Sequence, residues 1–114
     1  YISISLTIIL MVYTSTDNNF ARDAAEGLVL IDFWAPWCGP CRQMAPAFVQ
    51  AAGMLEPTVR LAKVDTEAQQ ALAARFSIRS IPTLALFRGG REIARQAGAM
   101  GAADIVRWVK GHTG

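Results

Sequence analysis

The only two cysteines among the 114 residues stand three apart in the run Phe33-Trp34-Ala35-Pro36-Trp37-Cys38-Gly39-Pro40-Cys41. An apolar, strand-like segment from Leu28 to Phe33 precedes them, and a helix-like one from Met44 to Leu55 follows. A thiol at a helix N-terminus feels unpaired backbone N–H groups and the positive end of the helix dipole, and both favour the thiolate. A second thiol one turn later can attack a mixed disulfide formed at the first. That pairing is a centre for dithiol–disulfide exchange. Three other chemistries compete for the same residues. A structural disulfide across so short a loop adds little constraint to the unfolded chain. A zinc site needs about four ligands, and the chain offers two cysteines and the remote His112. A Cys–His nucleophilic enzyme would depend on that same histidine, close to the C-terminus.

The elements that must position the pair alternate along the chain. Asp17 to Glu26 reads as a helix, with Ser15, Thr16 or Asp17 as its cap and Gly27 as its stop. Leu28 to Trp34 is apolar at both parities, as expected for a parallel strand covered on both faces. Cys41, Ala45, Phe48, Ala52 and Leu55 then recur at helical spacing, with Pro46 as a kink. Val59 to Asp65 is a further strand and Glu67 to Phe76 a short helix. Thr83 to Arg88 and Arg91 to Gln96 flank Gly89-Gly90, a two-residue hairpin signal. Ala102 to Lys110 closes the chain as a helix, with Asp104 early and Lys110 late to suit the dipole. A βαβ unit followed by a helix, a hairpin and a helix implies an α/β fold, a mixed sheet with helices on both faces. The redox pair falls at the C-terminal end of a strand, where open α/β sheets place their sites.

Three further residues carry candidate chemistry. Asp32 shares its parity with Leu30 and Trp34 and should point into the layer under the Cys38 helix. Burial there disfavours the ionised form and raises the pKa. Such a carboxyl can serve as general base, through a water, for the Cys41 thiol; the competing reading is a strand-end carboxylate in solvent. Lys63 falls on the parity of Val59 and Leu61, and parity alone fits a surface lysine as well as a buried one. Pro82 follows Ile81, and only an X–Pro bond populates cis readily; the residues alone suit a trans proline opening a strand equally well.

The sequence resembles the thioredoxin family. The resemblance rests on Asp32 to Cys41, on Ser80-Ile81-Pro82-Thr83, on the hairpin Phe87-Arg88-Gly89-Gly90-Arg91-Glu92, and on the glycine of Ala97-Gly98-Ala99. It covers Thr16 to the C-terminus, in the family's order and spacing. Thr66-Glu67-Ala68 and Ala74 to Arg79 are most similar to the bacterial thioredoxin-2 branch, although the four further cysteines of that branch's N-terminal zinc module are not in this sequence. The resemblance implies a five-stranded sheet of order 1-3-2-4-5 with its first three strands parallel. It implies a general-base role for Asp32, with Lys63 as its buried partner. Pro82 is then cis and packs beside the disulfide, leaving the Ile81 backbone free to pair with an extended substrate segment. Trp37, Gly39, Pro40, Ile81, Gly98 and Ala99 form a shallow apolar rim around Cys38, with glycine at Gly98 letting another backbone approach. Trp34 packs against the active-site loop, and Trp108 in the core. The implied activity is protein-disulfide reduction in the cytoplasm, with disulfide-containing proteins as substrates and a flavin-dependent thioredoxin reductase as electron donor.

Composition agrees with a small enzyme of one domain over residues 1–114. A net charge of +2 with nine arginines scattered along the chain gives no clustered footprint, so no nucleic-acid partner is expected. No nucleotide or metal motif occurs, so no cofactor or metal beyond the redox-active disulfide is expected. An oxidant or isomerase of the same fold usually replaces Gly39-Pro40, often with histidine before the second cysteine; a purely structural subunit would keep its activity without the thiols. Residues 1–13 are atypical. They carry no charge, and Ile2, Ile4, Leu6 and Ile8 alternate with Ser3, Ser5 and Thr7 in a β pattern. They are too few to span a bilayer and lack a basic n-region. They read as a long edge strand from Ile2 to Tyr13, in a monomer or pairing two copies; the alternative is the remnant of an export or membrane-anchoring segment.

Overall fold

A computed structural model describes residues 12–113. Nine elements follow in chain order: β1 (Val12–Thr14), α1 (Phe20–Ala24), β2 (Leu28–Trp34), α2 (Gly39–Leu55), β3 (Val59–Asp65), α3 (Gln70–Arg75), β4 (Thr83–Arg88), β5 (Arg91–Ala97) and α4 (Ala102–Thr113). The strands form one five-stranded sheet of order β1-β3-β2-β4-β5. β1, β3 and β2 are mutually parallel, whereas β4 runs antiparallel to β2 and β5 antiparallel to β4. The expected edge strand from Ile2 to Tyr13 lies outside the described residues except for Val12 and Tyr13, both within β1.

Alternation along the strands sorts the core into two layers. Leu30, Leu61, Leu84 and Leu86 face α2 and α4, meeting Phe48 and Ile105 among others. Val29, Ile31, Phe33, Ala62 and Phe87 face the opposite way, against Phe20 of α1 and Leu72 of α3. On that second face the rings of Phe20, Phe76 and Phe87 meet in tilted or edge-on pairs with centroids 5.2 to 5.5 Å apart. Asp32 follows Leu30 in parity and so lies in the α2 layer. Phe48 of α2 is fully buried there. Phe48→Ala is expected to cost about 3–5 kcal/mol through lost transfer energy and the cavity left behind. A fall in the urea midpoint at unchanged m-value measures it.

Several boundaries differ from the sequence expectation, each for a local reason. The first helix is shorter than Asp17 to Glu26, and its N-cap is Asn19 rather than Ser15, Thr16 or Asp17. The polar side chains ahead of it tie down the loop instead: Asp17 Oδ1 accepts from Leu72 N–H and Asn19 Oδ1 from Thr16 N–H. The Asn19 bond is local and competes with helix formation, whereas Asp17 reaches across to the first turn of α3. α3 likewise begins at Gln70 and not Glu67, because Asp65 Oδ1 takes the N–H groups of Glu67 and Ala68 into a turn. α2 starts five residues ahead of Met44, at Gly39, and runs through the exposed Pro46. α4 extends three residues past Lys110, with His112 Nδ1 2.9 Å from the Trp108 carbonyl oxygen. Trp108 is only partly buried and packs on the rim of the α2 layer.

Candidate active site at the end of β2

The end of β2 delivers the chain into the loop that carries both cysteines. Cys38 is the N-cap of α2, in extended conformation (φ −85°, ψ 115°), and its Sγ accepts the Cys41 N–H at 3.2 Å. Gly39 and Pro40 fill the first helical positions. Proline is tolerated there because its missing N–H would have no helical partner. The two cysteines form a disulfide, with Cα atoms 5.2 Å apart. One helical turn thus sets the spacing that lets either sulfur reach the other. Both cysteines are buried, Cys38 at 6% being the more exposed of the two and Cys41 1% exposed.

Asp32 is wholly buried beneath this loop, and neither carboxylate oxygen has a hydrogen-bond partner. Burial pushes its pKa up to about 7, with the Lys63 charge pulling the other way. The solvent-exposed reading of Asp32 is therefore excluded. Lys63 faces Asp32 across the β2–β3 ladder as its register partner. It is half-buried rather than buried, and the expected direct pairing is absent: the ion pairs among the described residues do not include these two. The ammonium sits over the Trp34 ring, 4.2 Å from its centroid. A cation above an indole face is held by the ring quadrupole, so Lys63 acts on Asp32 through space and not through a hydrogen bond.

The opposite wall comes from the entry to β4. The Ile81–Pro82 peptide bond is cis, and the Ile81 carbonyl oxygen lies 3.8 Å from Cys38 Sγ. Among the described residues the Ile81 N–H has no backbone hydrogen-bond partner. Pro82 is buried, and its carbonyl accepts the N–H of Gly98 at 2.9 Å. Gly98 has φ +99°, a conformation that side-chain-bearing residues rarely adopt. Trp37 is 65% exposed, and Pro40, Gly98 and Ala99 are exposed beside the half-buried Gly39 and Ile81. Cys38, Cys41, Trp34, Ala35 and Ile81 pack as one small apolar cluster.

Two residues to which the sequence argument gave no part in the site also shape this loop. Thr66 donates from both its N–H and Oγ1 to the Trp34 carbonyl, tying the end of β2 to the turn after β3. Arg42 donates from Nη1 to the Pro36 carbonyl at 3.0 Å. The available signals were an arginine directly after the second cysteine and a threonine at the end of a strand. Both are too common to single out. Among the described residues there is no group of three or more His, Cys, Asp or Glu side chains that could hold a metal, and no helix is long and apolar enough to cross a membrane.

Comparison with known proteins bears on the same residues. A family model described as thioredoxin matches residues 11–111. Thioredoxin C-3 of Corynebacterium nephridii is 51% identical over 81 residues, 71% of this chain; the match spans 55% of that relative's length. Thioredoxin 1 of a Nostoc species is 37% identical over 99 residues, 85% of this chain and 92% of the relative. The thioredoxin of Chlamydia trachomatis is 40% identical over 102 residues, 90% of this chain and 99% of the relative. The Cys38–Cys41 pair therefore serves dithiol–disulfide exchange. Matched over nearly all of its described residues, the chain belongs to the thioredoxin family of thiol–disulfide oxidoreductases.

Proposed function

We propose that the protein reduces disulfides in other proteins, with Cys38 as nucleophile, Cys41 as resolving thiol and Asp32 as general base. The observation that carries this reading is the placement of Cys38 Sγ at the start of α2. There a backbone N–H already points at the sulfur and stabilises a thiolate once the pair is reduced. The substrate disulfide settles on the rim of Trp37, Gly39, Pro40, Ile81, Gly98 and Ala99. Its backbone pairs with Ile81 beside Pro82. The Cys38 thiolate attacks one substrate sulfur; that S–S bond breaks, and the other sulfur leaves as a thiolate. Asp32 accepts the Cys41 proton through a water. Cys41 then attacks Cys38 Sγ, the mixed disulfide breaks, and the second substrate sulfur leaves. The substrate gains two electrons, and the enzyme ends with the Cys38–Cys41 disulfide.

Burial lifts the Asp32 pKa to about 7 and the Lys63 charge, held over Trp34, limits that rise, so that the carboxyl can take and return a proton. The chain needs no cofactor of its own, its electrons coming from a flavin-dependent thioredoxin reductase in the cytoplasm. Reduction of insulin disulfides with dithiothreitol as donor tests the reading. Catalytic amounts of the protein should accelerate insulin precipitation well beyond the dithiothreitol control, and addition of a thioredoxin reductase with NADPH should replace the dithiothreitol. A rate equal to the control would contradict it.

A further inference from the structure

We infer that the docking rim selects protein disulfides flanked by carboxylates, a preference that rests on the dithiol–disulfide reading above. Residues 35–43 carry the disulfide, Ile81 of residues 77–82 packs on it, and Gly98 of residues 98–101 is bonded to Pro82. Apart from the two cysteines, the only ionisable side chains of these three segments are Arg42 and Arg79. Both are exposed, and neither joins an ion pair among the described residues. Arg42 is held at the loop by its bond to the Pro36 carbonyl, next to Trp37. Arg79 stands two residues ahead of Ile81, whose carbonyl lies 3.8 Å from Cys38 Sγ. No carboxylate occurs in α2 or in β4.

The nearby carboxylates are otherwise engaged: Asp104, in the first turn of α4 just past residues 98–101, is paired with Arg107 at 2.9 Å. Asp32 is buried. Asp65 and Glu67 belong to the turn after β3, where Asp65 Oδ1 is occupied by two backbone N–H groups. β3 flanks β2 on the side away from β4. Ile81 and Gly98, by contrast, border β4 and β5. A chain laid along Ile81 passes two residues from Arg79, and one crossing Trp37 passes the loop to which Arg42 is bonded. Each exposed Arg–carboxylate pair raises affinity by about 1.5- to 5-fold, and like charges lower it by similar factors. Two guanidiniums together give about tenfold discrimination between acidic and basic flanks, weakened by salt.

Three disulfide-bridged peptides with one core sequence, flanked by two glutamates, two serines or two lysines, test this with dithiothreitol as reductant. The expected kcat/KM ratio, acidic over basic, is about tenfold at low salt. It should fall to about twofold in roughly 0.5 M NaCl, where the Debye length is about 4 Å. In an Arg42→Gln, Arg79→Gln double variant the low-salt ratio should approach one; a ratio cancels any effect of the substitutions on the thiol itself. Equal kcat/KM for the acidic and basic peptides, or a ratio unmoved in the variant, overturns the preference; reduction of all three then leaves the dithiol chemistry standing. Failure to reduce any peptide overturns both.

Discussion

Replacing Cys38 by serine is expected to abolish insulin reduction, with kcat/KM lowered by roughly 10³-fold or more, because a serine hydroxyl at neutral pH is neither ionised nor able to exchange with a disulfide. Cys41→Ser fails differently. The outer thiol should still attack, so the variant is expected to complete the first half-reaction and stop as a stable mixed disulfide. Both variants should stay folded: the disulfide closes so short a loop that it contributes little through the unfolded chain. Steady-state insulin turnover and circular dichroism of the two variants together separate lost chemistry from lost structure. A Cys38→Ser protein with appreciable turnover would refute the assignment.

Asp32→Asn is expected to stabilise the oxidised protein by about 3–4 kcal/mol above pH 7 while slowing the Cys41 step. The carboxyl has no hydrogen-bond partner in the fold, and burial lifts its pKa from 3.8 to about 7. The folded protein therefore keeps its proton where the unfolded chain has lost it. Stability is full below pH ~4 and declines as pH climbs to about 7, at up to ~1.36 kcal/mol per pH unit. Asparagine removes that dependence, so the variant and the parent should converge near pH 4 and diverge towards pH 8. The same substitution removes the proposed general base and should slow resolution by roughly 10²-fold at neutral pH. Urea unfolding of both oxidised proteins from pH 4 to 8 measures the first effect, and decay of a preformed mixed disulfide the second. A destabilised Asp32→Asn protein that resolves at the parental rate contradicts both.

Much of this was legible in the residues, and the pattern of misses is physical. β3 and β4 coincide with the expected Val59 to Asp65 and Thr83 to Arg88, because apolar runs bounded by turn residues leave little freedom at their ends. Parity alone placed Asp32 in the α2 layer. The helix ends were less legible, since Asn19 and Asp65 spend their side chains on loop N–H groups and Asp17 on the first turn of α3, and no periodicity reports that choice. Lys63 was read as a buried partner of Asp32. Its register position is as expected, but the Trp34 ring offers the ammonium a half-exposed seat that avoids full desolvation. A second cis bond, Glu56–Pro57, lies at the end of α2; nothing in the flanking residues marked it. Cys38 is nearly covered, because Ala35, Trp34 and Ile81 pack around it, and no pattern in the loop sequence announces that packing.

The central claim is that Cys38 attacks and Cys41 resolves. Mass spectrometry after mixing each single-cysteine variant with oxidised insulin tests it most directly. The Cys41→Ser protein should accumulate, within the first turnover, one covalent adduct that a tryptic map places on Cys38. The Cys38→Ser protein should form none on that time scale. An adduct that accumulates on Cys41 of the Cys38→Ser protein at a comparable rate would contradict the account.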